Sequence, residues 1–246
     1  VLVIYCLITG AELTRPHDEE EGMTFSIVGH CQRTGMHGVA ITTSSICVGS
    51  RCPWVRAGAG AVSTQNITDP TIGNEVLDLM AGGQSASDAL NSVMDQRPYA
   101  EYRQVAVVDL SSRTAHFSGQ EVLGIHAVSE GQHCVGAGNL LSDVGGAQAM
   151  CAMFEKSIGV HLAERLLQAL EAGVAAGGEK GPTHSAALLV AHEQPWPLVD
   201  LRVDWAEQPV KELRRCWERY EPEMMVYLTR ALNPGAAPTY GVPGDE

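Results

Sequence analysis

From Thr24 to His30 the chain alternates, with Phe25 and Ile27 on one face and Ser26, Val28 and His30 on the other. That is the period-two signature of a strand whose two sides meet different surroundings. Cys31-Gln32-Arg33-Thr34-Gly35 supplies a turn, and Met36 to Ile46 reads as the returning strand of a β-hairpin. The shortness of this link constrains the fold more than any other feature. A parallel neighbour needs a crossover of about a dozen residues, so strands joined this closely run antiparallel. Hairpin-length links recur downstream. Gln104 to Leu110 turns at Ser111-Ser112 into Thr114 to Ser118, and strands follow at about Leu123 to Ser129 and Gln132 to Ala137. His184 to His192 and Leu198 to Asp204 read as the last two.

Helices stand between these blocks. Asp69-Pro70 is a cap with proline at the first helical position, ahead of Ile72, Val76, Leu79 and Met80 at helical spacing. Ser85 to Met94 repeats the pattern after Gly82-Gly83. A second pair is striped by Val144, Ala147, Cys151 and Phe154, then by Leu162, Leu166, Leu167 and Leu170, with a break at Gly177-Gly178. A final helix is predicted from Pro209 to Tyr220 along Val210, Leu213 and Trp217. Residues 47–58 are expected to form a loop before a strand from Ala59 to Gln65. The order predicts an α+β fold of two stacked, mostly antiparallel sheets covered by helices. One domain is expected over residues 23–230, preceded by a disordered or spurious extension, 1–22, and followed by a flexible tail, 231–246.

Composition narrows the function. The net charge is −13 with only 16 Lys plus Arg among 246 residues, which argues against a nucleic-acid partner and against anionic membrane surfaces. Seven scattered cysteines without a C-x-x-C read as reduced thiols, and hence as a cytoplasmic protein. The opening VLVIYCLITG is too short to span a bilayer and lacks a basic leading region.

Met23-Thr24 carries the chemistry. Initiator methionine is normally trimmed before a small residue, and trimming here would leave Thr24 with a free α-amine beside its hydroxyl. Such an amine has a reference pKa of about 7.7–8, so much of it is neutral at cellular pH and can serve as the base that a threonine hydroxyl lacks. The bland alternative is an ordinary start dipeptide.

Further segments carry a resemblance: TFSIVG at 24–29, TG and GVA within 34–40, VGSRCPW at 48–54, RAGAGAVSTQ at 56–65, RQVAVVD at 103–109, GAGNLL at 136–141, LAERLLQALEAG at 162–173, SAALLV at 185–190 and VDLRVD at 199–204. In these the chain resembles a bacterial family known only as domain of unknown function ten-twenty-eight, grouped with the N-terminal-nucleophile (Ntn) hydrolases. The resemblance implies a four-layer αββα sandwich with the residue after Met at the mouth between the sheets. It implies no particular substrate.

A hydrolase of this type needs donors for the oxyanion formed when Thr24 attacks a carbonyl. Gly138 and Asn139 offer a backbone N–H and a side-chain amide, or are a plain strand-to-helix turn. Gln65 and Asn66 could hold a substrate amide, or cap a strand. Arg51 could meet a substrate carboxylate, or be an ordinary surface arginine. Ser44, in Thr43-Ser44-Ser45, is a candidate substrate contact and stands where the family commonly has a basic or aromatic-flanked residue, and Gly177-Gly178-Glu179-Lys180-Gly181 departs from the family's Gly-Gly-Asp followed by Arg-Gly.

No metal site is expected: His30-Cys31 and His133-Cys134 are strand neighbours pointing to opposite faces, and structural-zinc spacing is absent. GAGAV at 58–62 lacks the context of a dinucleotide fingerprint, so no cofactor is expected. The expectation is an amidohydrolase with Thr24 as nucleophile, acting on a small amide or acylated amino-acid-type substrate. Alternatives are an inactive protein of the same fold that binds or regulates through its pocket, and a structural oligomeric partner; homo-oligomerisation stays open.

Overall fold

Two antiparallel sheets face one another in the computed structural model, which describes residues 23–177 and 181–242. The first holds β1 (Thr24–His30), β2 (His37–Thr43), β7 (Ala127–Gly131), β8 (Cys134–Asn139), β9 (Ser185–Ala191) and β10 (Val199–Val203), in the spatial order β10-β9-β2-β1-β8-β7. The second is β3 (Pro53–Arg56), β4 (Gly60–Asn66), β5 (Arg103–Asp109) and β6 (Thr114–Ser118), in that order. Every neighbouring pair is antiparallel, as the short links require.

The alternation along β1 has a direct physical outcome. Phe25 and Ile27 join a core built with α3 (Gly145–Lys156), α4 (Leu162–Ala175) and α5 (Pro209–Leu232). Val28, on the other face, meets Val39, Val135 and Ala137 of its own sheet and Ala61, Ala106 and Val108 of the second. The second sheet turns Val62, Val105 and Val107 toward α1 (Pro70–Ala81) and α2 (Ala86–Met94). Both helices start where the sequence predicts: Asp69 accepts a hydrogen bond from Thr71 N at 3.0 Å, and Ser85 from Asp88 N at 3.1 Å. Asp109 ends β5 as a local acceptor, taking Ser111 N at 2.8 Å and Arg113 N at 3.0 Å, and it also receives Ala86 N at the head of α2.

Three expectations are corrected. Residues 47–58 are not all loop, because 53–56 form β3. Pro53 opens this edge strand, a position where a missing N–H costs nothing. The strands after Leu123 lie later than predicted, so β8 runs through Gly138 and Asn139. The last helix does not stop at Tyr220 but crosses Pro222 to Leu232. Residues 234–236 then form a 3-10 turn, and the Arg230 guanidinium sits 3.5 Å from the centre of the Tyr240 ring. The predicted extension 1–22, residues 178–180 of the glycine-rich segment, and 243–246 lie outside the described residues. No helix among the described residues is long and apolar enough to cross a membrane.

Candidate functional site

Thr24 begins β1, a central strand, so it has a partner on each side: Thr43 on β2 and Asn139 on β8. Cross-strand partners share a face, and parity with Ser26 and Val28 puts all three side chains on the side of the second sheet. Thr24, Thr43, Ser44 and Asn139 are all buried. The hydroxyls of Thr24 and Thr43 lie 2.8 Å apart. Thr43 Oγ1 also donates to the Met23 carbonyl at 2.5 Å, and Ser44 N donates to that carbonyl at 3.1 Å. Ser44 Oγ accepts from Met23 N at 2.9 Å. Ser44, foreseen as a substrate contact, thus holds the peptide groups just ahead of Thr24. Met23 itself is fully buried, with its sulfur accepting from Gly181 N at 3.0 Å.

Below Thr24 the space between the sheets is polar. Ser63 Oγ donates to Ser26 Oγ at 2.9 Å, and Ser26 Oγ to Gln65 Oε1 at 2.5 Å. Gln65 Nε2 donates to Gln104 Oε1 at 2.7 Å, and Asn139 Nδ2 donates to the same oxygen at 3.2 Å. Gln104 Nε2 donates to the Gly138 carbonyl at 3.2 Å. That last contact fixes the whole set: a backbone carbonyl only accepts, so the Gln104 amide has one orientation, and Gln65 and Asn139 must present N–H to its oxygen. Asn139 Oδ1 is left buried without a hydrogen-bond partner. An acceptor in that state is open to a donor such as water or a ligand N–H.

The predicted residues therefore separate. Thr24, Ser44, Gln65, Gly138 and Asn139 come together at one end of the cleft. Gly138 is a strand residue with neighbours on both sides, so it is no strand-to-helix turn. Asn66 has φ 68° and acts structurally: Nδ2 donates to the Tyr102 carbonyl at 2.6 Å and Oδ1 accepts from Leu123 N at 3.2 Å. Arg51 Nη1 donates to the carbonyls of Ile46 and Cys47 at 2.6 and 3.0 Å, pinning its own loop. Sequence reasoning missed Ser26, Thr43 and Gln104. Gln104 carried a usable signal, being a polar residue on the inward face of RQVAVVD, level with Ala106 and Val108.

The far end of the cleft has its own polar group. His30 Nδ1 lies 2.6 Å from Ser112 Oγ, and burial, helped by His37 and His133, lowers the His30 pKa to about 4. His37 Nε2 lies 2.7 Å from the Arg56 carbonyl and must carry a proton there, since that oxygen only accepts.

A family model described as a family of unknown function, DUF1028, matches residues 24–213. No curated protein matches the chain. Among solved structures, the crystal structure of protein SPO2555 from Silicibacter pomeroyi, which carries the same family model, is similar with a TM-score of 0.75 and 33% identity. The match covers 80% of this chain and 89% of that one. Anbu, an ancestral beta-subunit from Yersinia bercovieri, gives a TM-score of 0.33 at 7% identity over 82% of this chain and 96% of its own, too distant to carry an argument. With a model match over most of its length and a relative one-third identical, the chain belongs to the DUF1028 family of unknown function.

Proposed function

We propose that the protein is an N-terminal-nucleophile amidohydrolase in which Thr24, released as the first residue, attacks a small amide or acylated amino-acid-type substrate. The observation that carries this reading is the placement of Met23. Its side chain fills a buried space directly ahead of Thr24, and its peptide groups are held by Thr43 and Ser44. Loss of Met23, together with anything that precedes it, would free the α-amine and leave a space of methionine size beside it. The layering of helix, sheet, sheet and helix is the arrangement the family resemblance implies, and it supports the same reading.

In the proposed reaction Thr24 Oγ1 attacks the substrate carbonyl while the α-amine takes the hydroxyl proton. The amine returns that proton to the leaving nitrogen, an acyl-enzyme remains, and water completes the hydrolysis. The second Nδ2 proton of Asn139 is a donor for the oxyanion, and Asn139 Oδ1 an acceptor for a substrate N–H. Gln65 and Gln104 act through Asn139 by fixing its orientation.

A chain that keeps Met23 has an amide where the base should be, and then favours a binding or regulatory protein with the same pocket. Intact-mass measurement of protein from its native host, before and after a β-lactone that acylates terminal threonines, separates the two. The hydrolase reading expects a chain starting at Thr24 that gains a single adduct, with none on Thr24→Ala. A functional chain that starts upstream and gains no adduct overturns it.

A further inference from the structure

We infer that a second pocket, at the opposite end of β1 from Thr24, binds a small oxyanion on Arg165 and Arg33. The two ends of this seven-residue strand are about 20 Å apart, so the pocket is separate from the Thr24 group. It has a volume of about 270 Å³, and its lining includes His30, Arg33, Gln132, His133, Glu155 and Arg165. That size suits a metabolite-sized ligand rather than a peptide.

Arg165 is the centre of the argument. Only 4% of it is exposed, yet among the described residues it forms no ion pair. Its hydrogen bonds from Nε and Nη2, at 3.4 and 3.0 Å, both go to the Phe154 carbonyl, its guanidinium lies 3.9 Å from the centre of the Phe154 ring, and the Cys31 thiol is its other polar neighbour. Phe154 is in the last turn of α3, so this contact caps that helix. Capping explains two of the five N–H groups. It does not explain a buried cation with no carboxylate paired to it among the described residues, which is an expensive arrangement unless a counter-charge arrives. Arg33, exposed on the β1–β2 turn, brings a second guanidinium to the rim and donates to the Val160 carbonyl at 3.4 Å. Glu155 is the opposing charge in the lining, but its Oε1 accepts from Gln132 N at 2.6 Å and it pairs with neither arginine. Two arginines with no carboxylate partner among the described residues, in a pocket of a chain carrying net charge −13, mark a selective site, because a planar guanidinium fork suits carboxylate and phosphate oxygens.

The test is calorimetric titration of the full chain with inorganic phosphate and, separately, with succinate. Saturable one-site binding of either supports the site, and which one binds names the source of the oxyanion. Arg33→Gln, a surface change that leaves the α3 cap intact, should weaken binding at least tenfold. Arg165→Lys keeps the charge but loses the fork, and should abolish binding while circular dichroism stays native. Thr24→Ala should bind as the unaltered chain does, which keeps this result independent of the hydrolase reading. Absence of saturable heat with both anions, or affinity unchanged in Arg33→Gln, overturns the proposal.

Discussion

Thr24 and Thr43 face each other across β1 and β2 with their hydroxyl oxygens 2.8 Å apart, and the direction of that hydrogen bond is determined. Thr43 has a single hydroxyl proton and gives it to the Met23 carbonyl, which can only accept. Thr24 must therefore donate to Thr43. While Met23 is attached, the hydroxyl proton of Thr24 points along the sheet, away from any base. Release of Met23, as proposed, would remove the carbonyl that holds the Thr43 proton and leave the two hydroxyls free to reorient toward the new amine.

Thr43→Val tests this coupling. It leaves the Met23 carbonyl and the Thr24 hydroxyl each short of a partner in a buried place, and should cost about 2 kcal/mol in urea unfolding of the Met23-containing chain. Thr43→Ser should recover most of the loss. A destabilisation below about 0.5 kcal/mol would show that water or another hydroxyl substitutes readily.

Gln104 should be the most sensitive polar residue of the cleft. Gln104→Leu removes the acceptor of Gln65 Nε2 and Asn139 Nδ2 and the donor to the Gly138 carbonyl and Ser118 Oγ, with an expected loss of about 3 kcal/mol or more by thermal unfolding. Gln104→Glu keeps an acceptor for both amides and loses the donors to the Gly138 carbonyl and Ser118 Oγ, so it should fall between leucine and the parent.

His30 predicts a pH dependence. Its folded pKa, lowered to about 4 by burial and then by His37 and His133, lies below the reference value of about 6.5. The unfolded chain therefore binds the extra proton first as pH falls. The stability His30 confers is complete above about pH 6.5 and is lost as pH drops toward 4. The loss should be about 3 kcal/mol, at about 1.4 kcal/mol per pKa unit. Urea unfolding at pH 7 and at pH 4.5 should show it, and His30→Gln should flatten this part of the profile. Equal slopes in both proteins would move the effect to another group.

Gly73, in α1, lies under Trp54 of β3. A Cβ there would sit 2.2 Å from Trp54 Cδ1, so Gly73→Ala should cost about 1–3 kcal/mol despite alanine's better helix propensity. Trp54→Leu should recover part of the loss in the double variant, read by chemical denaturation. A neutral or stabilising Gly73→Ala would mean that β3 shifts freely.

The sequence made the layering legible because alternation and link length are local properties. Phe25 and Ile27 against Ser26 and Val28 predicted both faces of β1, and Asp69 and Ser85 marked two helix starts. The edge strand β3 was missed because proline is read locally as a break, whereas at an edge strand the absent N–H of Pro53 faces no partner. The candidate site was half legible. Thr24 and Asn139 stand out by type, but their pairing across β1 and β8 is a matter of register between segments more than a hundred residues apart. Gln104 matters only because two sheets bring it beneath Asn139, and Asn66 and Arg51 serve their own loops for reasons that composition does not encode.

The position of β1 has an evolutionary consequence. Hydrogen-bonded on both edges and sandwiched between two cores, it carries the proposed nucleophile at one end and the rim of the proposed oxyanion pocket at the other. Single substitutions along it are graded in effect. Insertion or deletion of one residue is not, because it would swing Ser26 into the helices and Phe25 into the cleft while shifting one end against the other. The turn after His30 tolerates change, but the spacing between Thr24 and His30 is closed to change by single steps.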